Sequence, residues 1–180
     1  MNFDWTILQW IQENLRCAAL DFLMPKITML GNSGMIWIAI ALVMLCTKKY
    51  RKHGIILLVG LLVGLLVGNI CVKNLVARAR PCWIDPTVPL LIGNPTDYSF
   101  PSGHTLSSVI AATILYDTDK RFGIPAIILA VLIAFSRLYL YVHFPTDVLA
   151  AALLGVLIGK LLHRWHDERG AGPHIKTNIE

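Results

Sequence analysis

The residues able to do chemistry fall into three short groups. Lys73 and Arg80 stand seven positions apart, with Pro81 next; Pro101-Ser102-Gly103-His104 follows; then come Ser136-Arg137, His143 and Asp147. Together they supply three cationic side chains, two imidazoles, a carboxylate and a helix start with free backbone N–H groups. That set suits holding a phosphate and attacking it without a metal. Nearly everything else in the chain is apolar, so the phosphate is expected to belong to a lipid.

Each group has its own logic. Lys73 and Arg80 lie close to two helical turns apart and share a face if their helix continues that far. Pro81 disfavours helix at Arg80, so the helix is expected to end there. Arginine offers a planar fork for phosphoryl oxygens and lysine a point charge; taken alone, the two read more readily as cations snorkelling to an interface. Arg78 points away from that face and is given a secondary role. Ser102 suits a helix N-cap, Gly103 lets backbone approach an anion, and His104 falls in the first turn beside the anion site that a helix start provides.

Arg137 lies inside an apolar run, where a charge is costly and marks function. His143 precedes Phe144-Pro145, and Pro145 fits the first position of a helix. Asp147 then lies in the first turn, within reach of the His143 ring. A carboxylate on one ring nitrogen fixes the tautomer and leaves the other free to attack; ordinary structural hydrogen bonding is the competing account of the pair. The residues alone do not decide which histidine attacks.

These groups need elements to position them. The chain has 180 residues, 56% of them hydrophobic and only 15% charged, too little charge for a soluble domain of this length. The formal net charge of +5 gathers at the ends of apolar runs, which fits loop charge that orients membrane proteins and not nucleic-acid binding. Cys17, Cys46, Cys71 and Cys82 form no CxxC pair and read as small packing residues. No cleavable signal peptide is expected from the opening residues.

Phe3 to Arg16 reads as an amphipathic helix at the membrane interface or a plain packing helix. Uncharged runs follow at Ile27–Thr47, weakened at Gly31–Gly34, and at Gly54–Val72, where Gly60, Gly64 and Gly68 form a stripe for close helix approach. The proline-rich stretch from Cys82 to Phe100 reads as a surface loop. Further runs cover His104–Tyr116, Phe122–Tyr141 and Pro145–Gly159, and the tail from Lys160 is expected to fray. The fold class is therefore all-α: an integral membrane bundle of five to six transmembrane helices with an N-terminal amphipathic helix. It forms one domain over 1–180, divided into an interfacial helix (1–16), the bundle (17–163) and a polar cytoplasmic tail (164–180).

Basic residues at 48–52, at Lys120 and Arg121, and in the tail share one side, which the positive-inside tendency places in the cytoplasm. Counting crossings puts all three motifs on the outer face. The third and last runs are short for a hydrocarbon core of about 30 Å, so their outer ends should stop below the interface and sink the site to headgroup depth unless the helices run on past Asp117 and Lys160.

Taken together, the three groups resemble the three-part signature of the type 2 phosphatidic acid phosphatase family, whose wider superfamily includes bacterial acid phosphatases and vanadium haloperoxidases. The resemblance covers about residues 54 to 160 and departs at no signature position. It implies that His143 is the nucleophile, forming a phosphohistidine, with Asp147 orienting it and His104 acting as general acid and then base. It implies that Lys73, Arg80, Arg137, Ser102 and Gly103 hold the phosphoryl oxygens. It implies no metal and no cofactor, in keeping with outer-face acids limited to Asp85, Asp97 and Asp147 outside the N-terminal helix. The expected partner is a lipid phosphate in the membrane, most favourably undecaprenyl pyrophosphate, with phosphatidylglycerophosphate, phosphatidate and transfer to another lipid or sugar as alternatives. A non-catalytic scaffold would have no use for the His104, His143 and Asp147 set, and a transporter would show paired broken helices. Oligomeric state is open.

Overall fold

The computed structural model describes residues 3–170, and these are helical apart from their connections. The helices are α1 (Phe3–Asn14), α2 (Ala18–Leu30), α3 (Met35–Cys46), α4 (Arg51–Gly64), α5 (Lys73–Val76), α6 (Pro81–Ile84), α7 (Gly103–Thr118), α8 (Lys120–Tyr139) and α9 (Pro145–Gly170). A π-helical stretch, Leu65–Val72, joins α4 to α5 without a break. Among the described residues, three helices are long and apolar enough to cross a membrane, in the ranges Arg51–Ile84, Lys120–Tyr139 and Pro145–Trp165. A fourth is added if α2 and α3, bent by 45° at their junction, count as one broken span.

α7 is the axis. It packs against α3, α4, α8 and α9 and buries Leu106, Ile110, Ala111, Ile114 and Leu115. At 16 residues it spans about 24 Å, short of the hydrocarbon core, as its apolar run implied. Because neighbours enclose it, its length need not match the lipid. The glycine stripe works as its spacing indicated. A Cβ on Gly60 would lie 2.9 Å from Ile110, one on Gly64 2.6 Å from Ile110, and one on Gly68 would collide with Leu106. Gly155 and Gly159 of α9 meet Val109 and Thr113 of α7 in the same way. Outward-facing Leu42, Val43, Leu66, Val131 and Leu153 are exposed, the apolar coat a bilayer requires.

Several expectations need correction. The last helix does not end at Gly159 but runs to Gly170, because Lys160, His163 and Arg164 keep helix-compatible side chains beyond the apolar run. α9 is therefore not a short helix, and its length gives no reason for a sunken site. Of the predicted tail, 171–180 lies outside the described residues. α1 is a packing helix whose buried face is Asp4, Leu8 and Ile11, while Phe3 and Trp10 are exposed. Asp4 joins the buried face because Arg78 and Thr146 hold it there.

The helix carrying Lys73 does not reach Arg80 either. It stops at Val76, where Ala77 adopts a left-handed conformation (φ 47°) and donates its N–H to the Lys73 carbonyl at 3.0 Å. Arg80 is extended (φ −80°, ψ 154°), as the following proline demands.

Candidate functional site

One cavity of about 710 Å³ is lined by Lys73, Arg80, Arg137, Gly103, His104 and His143. It brings six of the eight predicted site residues to one place. Its other wall is apolar, with Ile38 of α3 and Leu58, Leu61, Leu62 and Leu65 of the Arg51–Val72 segment. The two remaining residues, Ser102 and Asp147, are fully buried beside it and do not line it.

The cations converge by three routes. Lys73 sits at the end of the π-helical stretch and is 6% exposed. Arg80 returns from the extended turn after Ala77 and is 2% exposed. Its Nε donates to the Asp97 carbonyl at 2.6 Å, Nη2 to Asp97 Oδ1 at 2.8 Å and to the Tyr98 carbonyl at 3.2 Å, and Nη1 to the Val142 carbonyl at 2.6 Å. Arg137 comes from the last turn of α8, and its Nη1 donates to Thr28 Oγ1 of α2 at 2.6 Å. The Arg137 Nε is buried with no hydrogen-bond partner. A guanidinium only 4% exposed, facing a cavity with an unmet donor, calls for an anion.

Asp97 is the carboxylate nearest these cations. Lys73 Nζ donates to its Oδ2 at 2.5 Å while Arg80 holds Oδ1. Desolvation pushes this carboxyl up, but the Lys73 ammonium and the Arg80 guanidinium outweigh it and hold it down at about 2. Asp97 thus lends the two cations the oxygens that a phosphoryl group would otherwise bring.

His143 lies on the turn between α8 and α9, 1% exposed. The turn reverses at Tyr141, a non-glycine residue with φ 60°, and is braced by the Trp5 ring, 6.4 Å from Tyr141 and 5.1 Å from Phe144. The His143 Nδ1 faces Asp147 Oδ2 at 3.6 Å, too long for the direct hydrogen bond expected. Ser99 mediates: its hydroxyl donates to Asp147 Oδ2 at 2.5 Å and lies 3.5 Å from Nδ1. The Phe144 N–H donates to the same Oδ2 at 2.8 Å. Burial, then the nearby Arg80 guanidinium, push the His143 imidazole well below its ordinary pKa, so the ring is neutral.

His104 opens α7. Its Nε2 is 2.9 Å from Asn32 Oδ1, and its Cδ2 would lie 2.8 Å from a Cβ at Gly31. The Gly31–Gly34 break, read from sequence as a weak point, is what carries Asn32 to the ring. It does so through left-handed Ser33 (φ 50°) and Gly34 (φ 67°). Ser102 caps α7 as expected, its Oγ accepting from Thr105 N at 3.5 Å and from Thr105 Oγ1 at 3.0 Å. The space a Cβ would take at Gly103 is filled by the Asn69 side chain, with Oδ1 at 2.7 Å.

Sequence reasoning missed Asp4, Asn32, Ser99 and the central place of Asp97, and it undervalued Arg78. Arg78 Nη1 donates to Asp147 Oδ1 at 2.6 Å and Nη2 to Asp4 Oδ2 at 2.7 Å. A signal did exist for Asn32: a polar residue at a break inside an apolar span. None marked Arg78, since nothing in Val76-Ala77-Arg78 announces a left-handed turn.

The model of the PAP2 superfamily matches residues 53–171. An undecaprenyl-diphosphatase of Sulfolobus acidocaldarius is 37% identical over 163 residues, covering 89% of this chain and 77% of that protein. Among solved structures, Aquifex aeolicus LpxE superposes with a TM-score of 0.80 at 25% identity, covering 91% of this chain and 96% of that one. A transmembrane PAP2-type phosphatidylglycerolphosphate phosphatase from Bacillus subtilis superposes with a TM-score of 0.75 at 27% identity, covering 98% and 90%. With the three motifs gathered at one cavity and relatives matched over most of their length, the chain belongs to the PAP2 superfamily, as a membrane phosphatase of lipid phosphates or diphosphates.

Proposed function

We propose that this enzyme removes the terminal phosphate of a polyprenyl diphosphate at the outer face of the membrane, through a phosphohistidine on His143. The observation that carries the reading is the single cavity lined by both histidines and the three buried cations. His143 Nε2 attacks phosphorus and the bond to the leaving lipid phosphate oxygen breaks. His104, held at Nε2 by Asn32, protonates that oxygen. Water then attacks the phosphohistidine as His104 takes its proton, releasing inorganic phosphate. Lys73, Arg80 and Arg137 stabilise the charge on the transferring group. The capped start of α7, with Ser102 and Gly103, adds its N-terminal dipole.

The choice of lipid rests on two supports. The Sulfolobus relative bears the name of an undecaprenyl-diphosphatase, and the apolar wall of Ile38, Leu58 and Leu62 offers a path for a chain that stays in the membrane. Phosphatidylglycerophosphate is the second reading, favoured by the likeness to the Bacillus subtilis structure. We assign five crossings to a single domain. They are α2 with α3, the helix over 51–76, α7, α8 and α9, with α1 packed beneath the site. Lys48, Lys49, Arg51, Lys120 and Lys160 gather at the end of the bundle away from the cavity, which favours a cytoplasmic location for that end.

The test is phosphate release by purified enzyme in detergent, comparing undecaprenyl pyrophosphate, phosphatidylglycerophosphate and phosphatidate by kcat/KM. Activity should persist in EDTA and vanish in His143→Ala. An absolute need for added magnesium would sink the mechanism. Phosphorylated acceptor in place of free phosphate would make the protein a phosphotransferase.

A further inference from the structure

We propose that Arg78 and Asp4, neither of them a signature position of the three motifs, are positioning residues for the nucleophile; the proposal rests on His143 being the residue that takes the phosphoryl group.

The Asp147 side chain is fully buried, and a buried carboxylate needs a counter-charge. The neutral His143 ring does not supply one. Arg78 does, through the 2.6 Å bond to Oδ1, and it is the only lysine or arginine in ion-pair contact with Asp147 among the described residues. The other oxygen, Oδ2, accepts from Ser99 Oγ and Phe144 N. With both oxygens engaged, the carboxylate cannot turn, and Oδ2 stays on the Nδ1 side of the ring. When Nε2 bonds to phosphorus, Nδ1 keeps its proton and the ring becomes cationic. Asp147 faces that new charge and loses it again when water cleaves the N–P bond. Arg78 on the far oxygen holds the carboxylate in that orientation meanwhile.

Asp4 completes the clamp. It is 3% exposed, although it lies on a helix distant in sequence. Its Oδ2 accepts from Arg78 Nη2 at 2.7 Å and from Thr146 Oγ1 at 2.7 Å, and its Oδ1 accepts from Thr146 N at 3.0 Å. Thr146 is the second residue of α9, where a backbone N–H has no partner within its own helix. Asp4 therefore caps α9 from outside, one residue before Asp147. The Arg78 guanidinium also lies 4.0 Å over the Phe144 ring, beside the nucleophile. The N-terminal helix thus reaches the Asp147 carboxylate through Arg78.

The experiment uses the full chain in detergent with undecaprenyl pyrophosphate, measuring kcat, KM, trapped phosphohistidine and unfolding temperature. Arg78→Gln should lower kcat about 10- to 100-fold with KM within about twofold, the range seen when partners that orient a histidine are lost. Arg78→Lys should recover little, since an ammonium cannot bridge two carboxylates as a fork does. Asp4→Asn should give a smaller loss of the same kind. The double variant Arg78→Gln/Asp147→Asn should be no slower than Asp147→Asn alone, because the two act as one unit. Wild-type kcat in a folded Arg78→Gln, or in a folded Asp4→Asn should the arginine variant not assemble, would overturn the proposal. So would losses that multiply in the double variant, or that follow only the unfolding temperature. His143→Ala separates the two claims: if it stays active the phosphohistidine reading fails, whereas if it is dead and Arg78→Gln is fully active only this proposal fails.

Discussion

The Arg80 Nη1 lies 3.1 Å from Nε2 of His143. A guanidinium has donors and no acceptor, so Nε2 must be accepting, and the ring proton must sit on Nδ1, the side of Ser99 and Asp147. The nucleophilic lone pair is therefore present before substrate arrives, and Arg80 rests on it. A phosphoryl group reaching Nε2 has to take over that donor, which turns the hydrogen bond guarding the nucleophile into one stabilising the transition state.

Arg80→Lys should consequently cost about 100-fold or more in kcat/KM, the scale of losing a donor aimed at developing charge. The lysine keeps the charge but not the fork that spans Asp97, Val142 and His143. Steady-state kinetics on the folded variant decide the point; a loss below tenfold would mean Arg80 serves only as a bulk cation.

The pH profile has a defined sign. Burial and then Arg80 push His143 below the ordinary histidine value of about 6.5. A lowered value keeps the ring neutral as pH falls, so the acid limb due to the nucleophile should lie well below pH 6.5. Arg80→Gln removes one of the causes and should move that limb toward neutrality. An acid limb at the same pH in both proteins would contradict this assignment.

Asp97→Asn should tighten inhibition by inorganic phosphate and vanadate, because Lys73 and Arg80 lose the carboxylate that competes for them. We expect a fall in Ki of about tenfold, the scale of releasing two cations from one partly exposed carboxylate. Since its carboxyl is held down at about 2, Asp97 stays ionised at every usable assay pH and adds no inflection of its own. Unchanged or weaker vanadate inhibition would show that Asp97 supports the cations instead of competing for them.

Asn32→Leu should slow turnover while leaving the trapped phosphohistidine detectable, since the ring it holds is His104 and not His143. Rapid-quench measurement of the phosphoenzyme separates the two steps. Equal loss of formation and breakdown would be expected if His104 serves both directions of proton transfer, whereas wild-type rates in both would remove Asn32 from the reaction.

Much of the site is legible in the sequence because charge inside apolar runs is so costly that few alternatives survive. Arg137 is the example, and the proline-glycine spacing around His104 fixes a helix start. The glycine stripe is legible for the same reason, since only bare backbone permits the approach of α4 to α7. What resists reading depends on backbone turns made by ordinary residues. Ala77 and Tyr141 enter the left-handed region with no glycine to announce it. Extrapolating a helix through Ala77 brings Arg80 to the right place by the wrong path and sends Arg78 to the wrong place. Asp4 is hidden differently: its partners come from Arg78 and Thr146, far along the chain, so the apolar pattern of α1 alone points to the opposite face.

The wide-turned stretch Leu65–Val72 bears on how this helix tolerates changes in length. Bonds that reach back five residues accommodate an extra residue in the coil, and every side chain beyond is turned accordingly. Removing one residue there would shorten the rod by only about 1.5 Å yet swing Lys73 by about 100°, taking its ammonium off the cavity. Lipid-facing segments usually absorb small deletions by tilting; this one acts as a dial, and a chain one residue shorter at 65–72 should insert normally and release no phosphate.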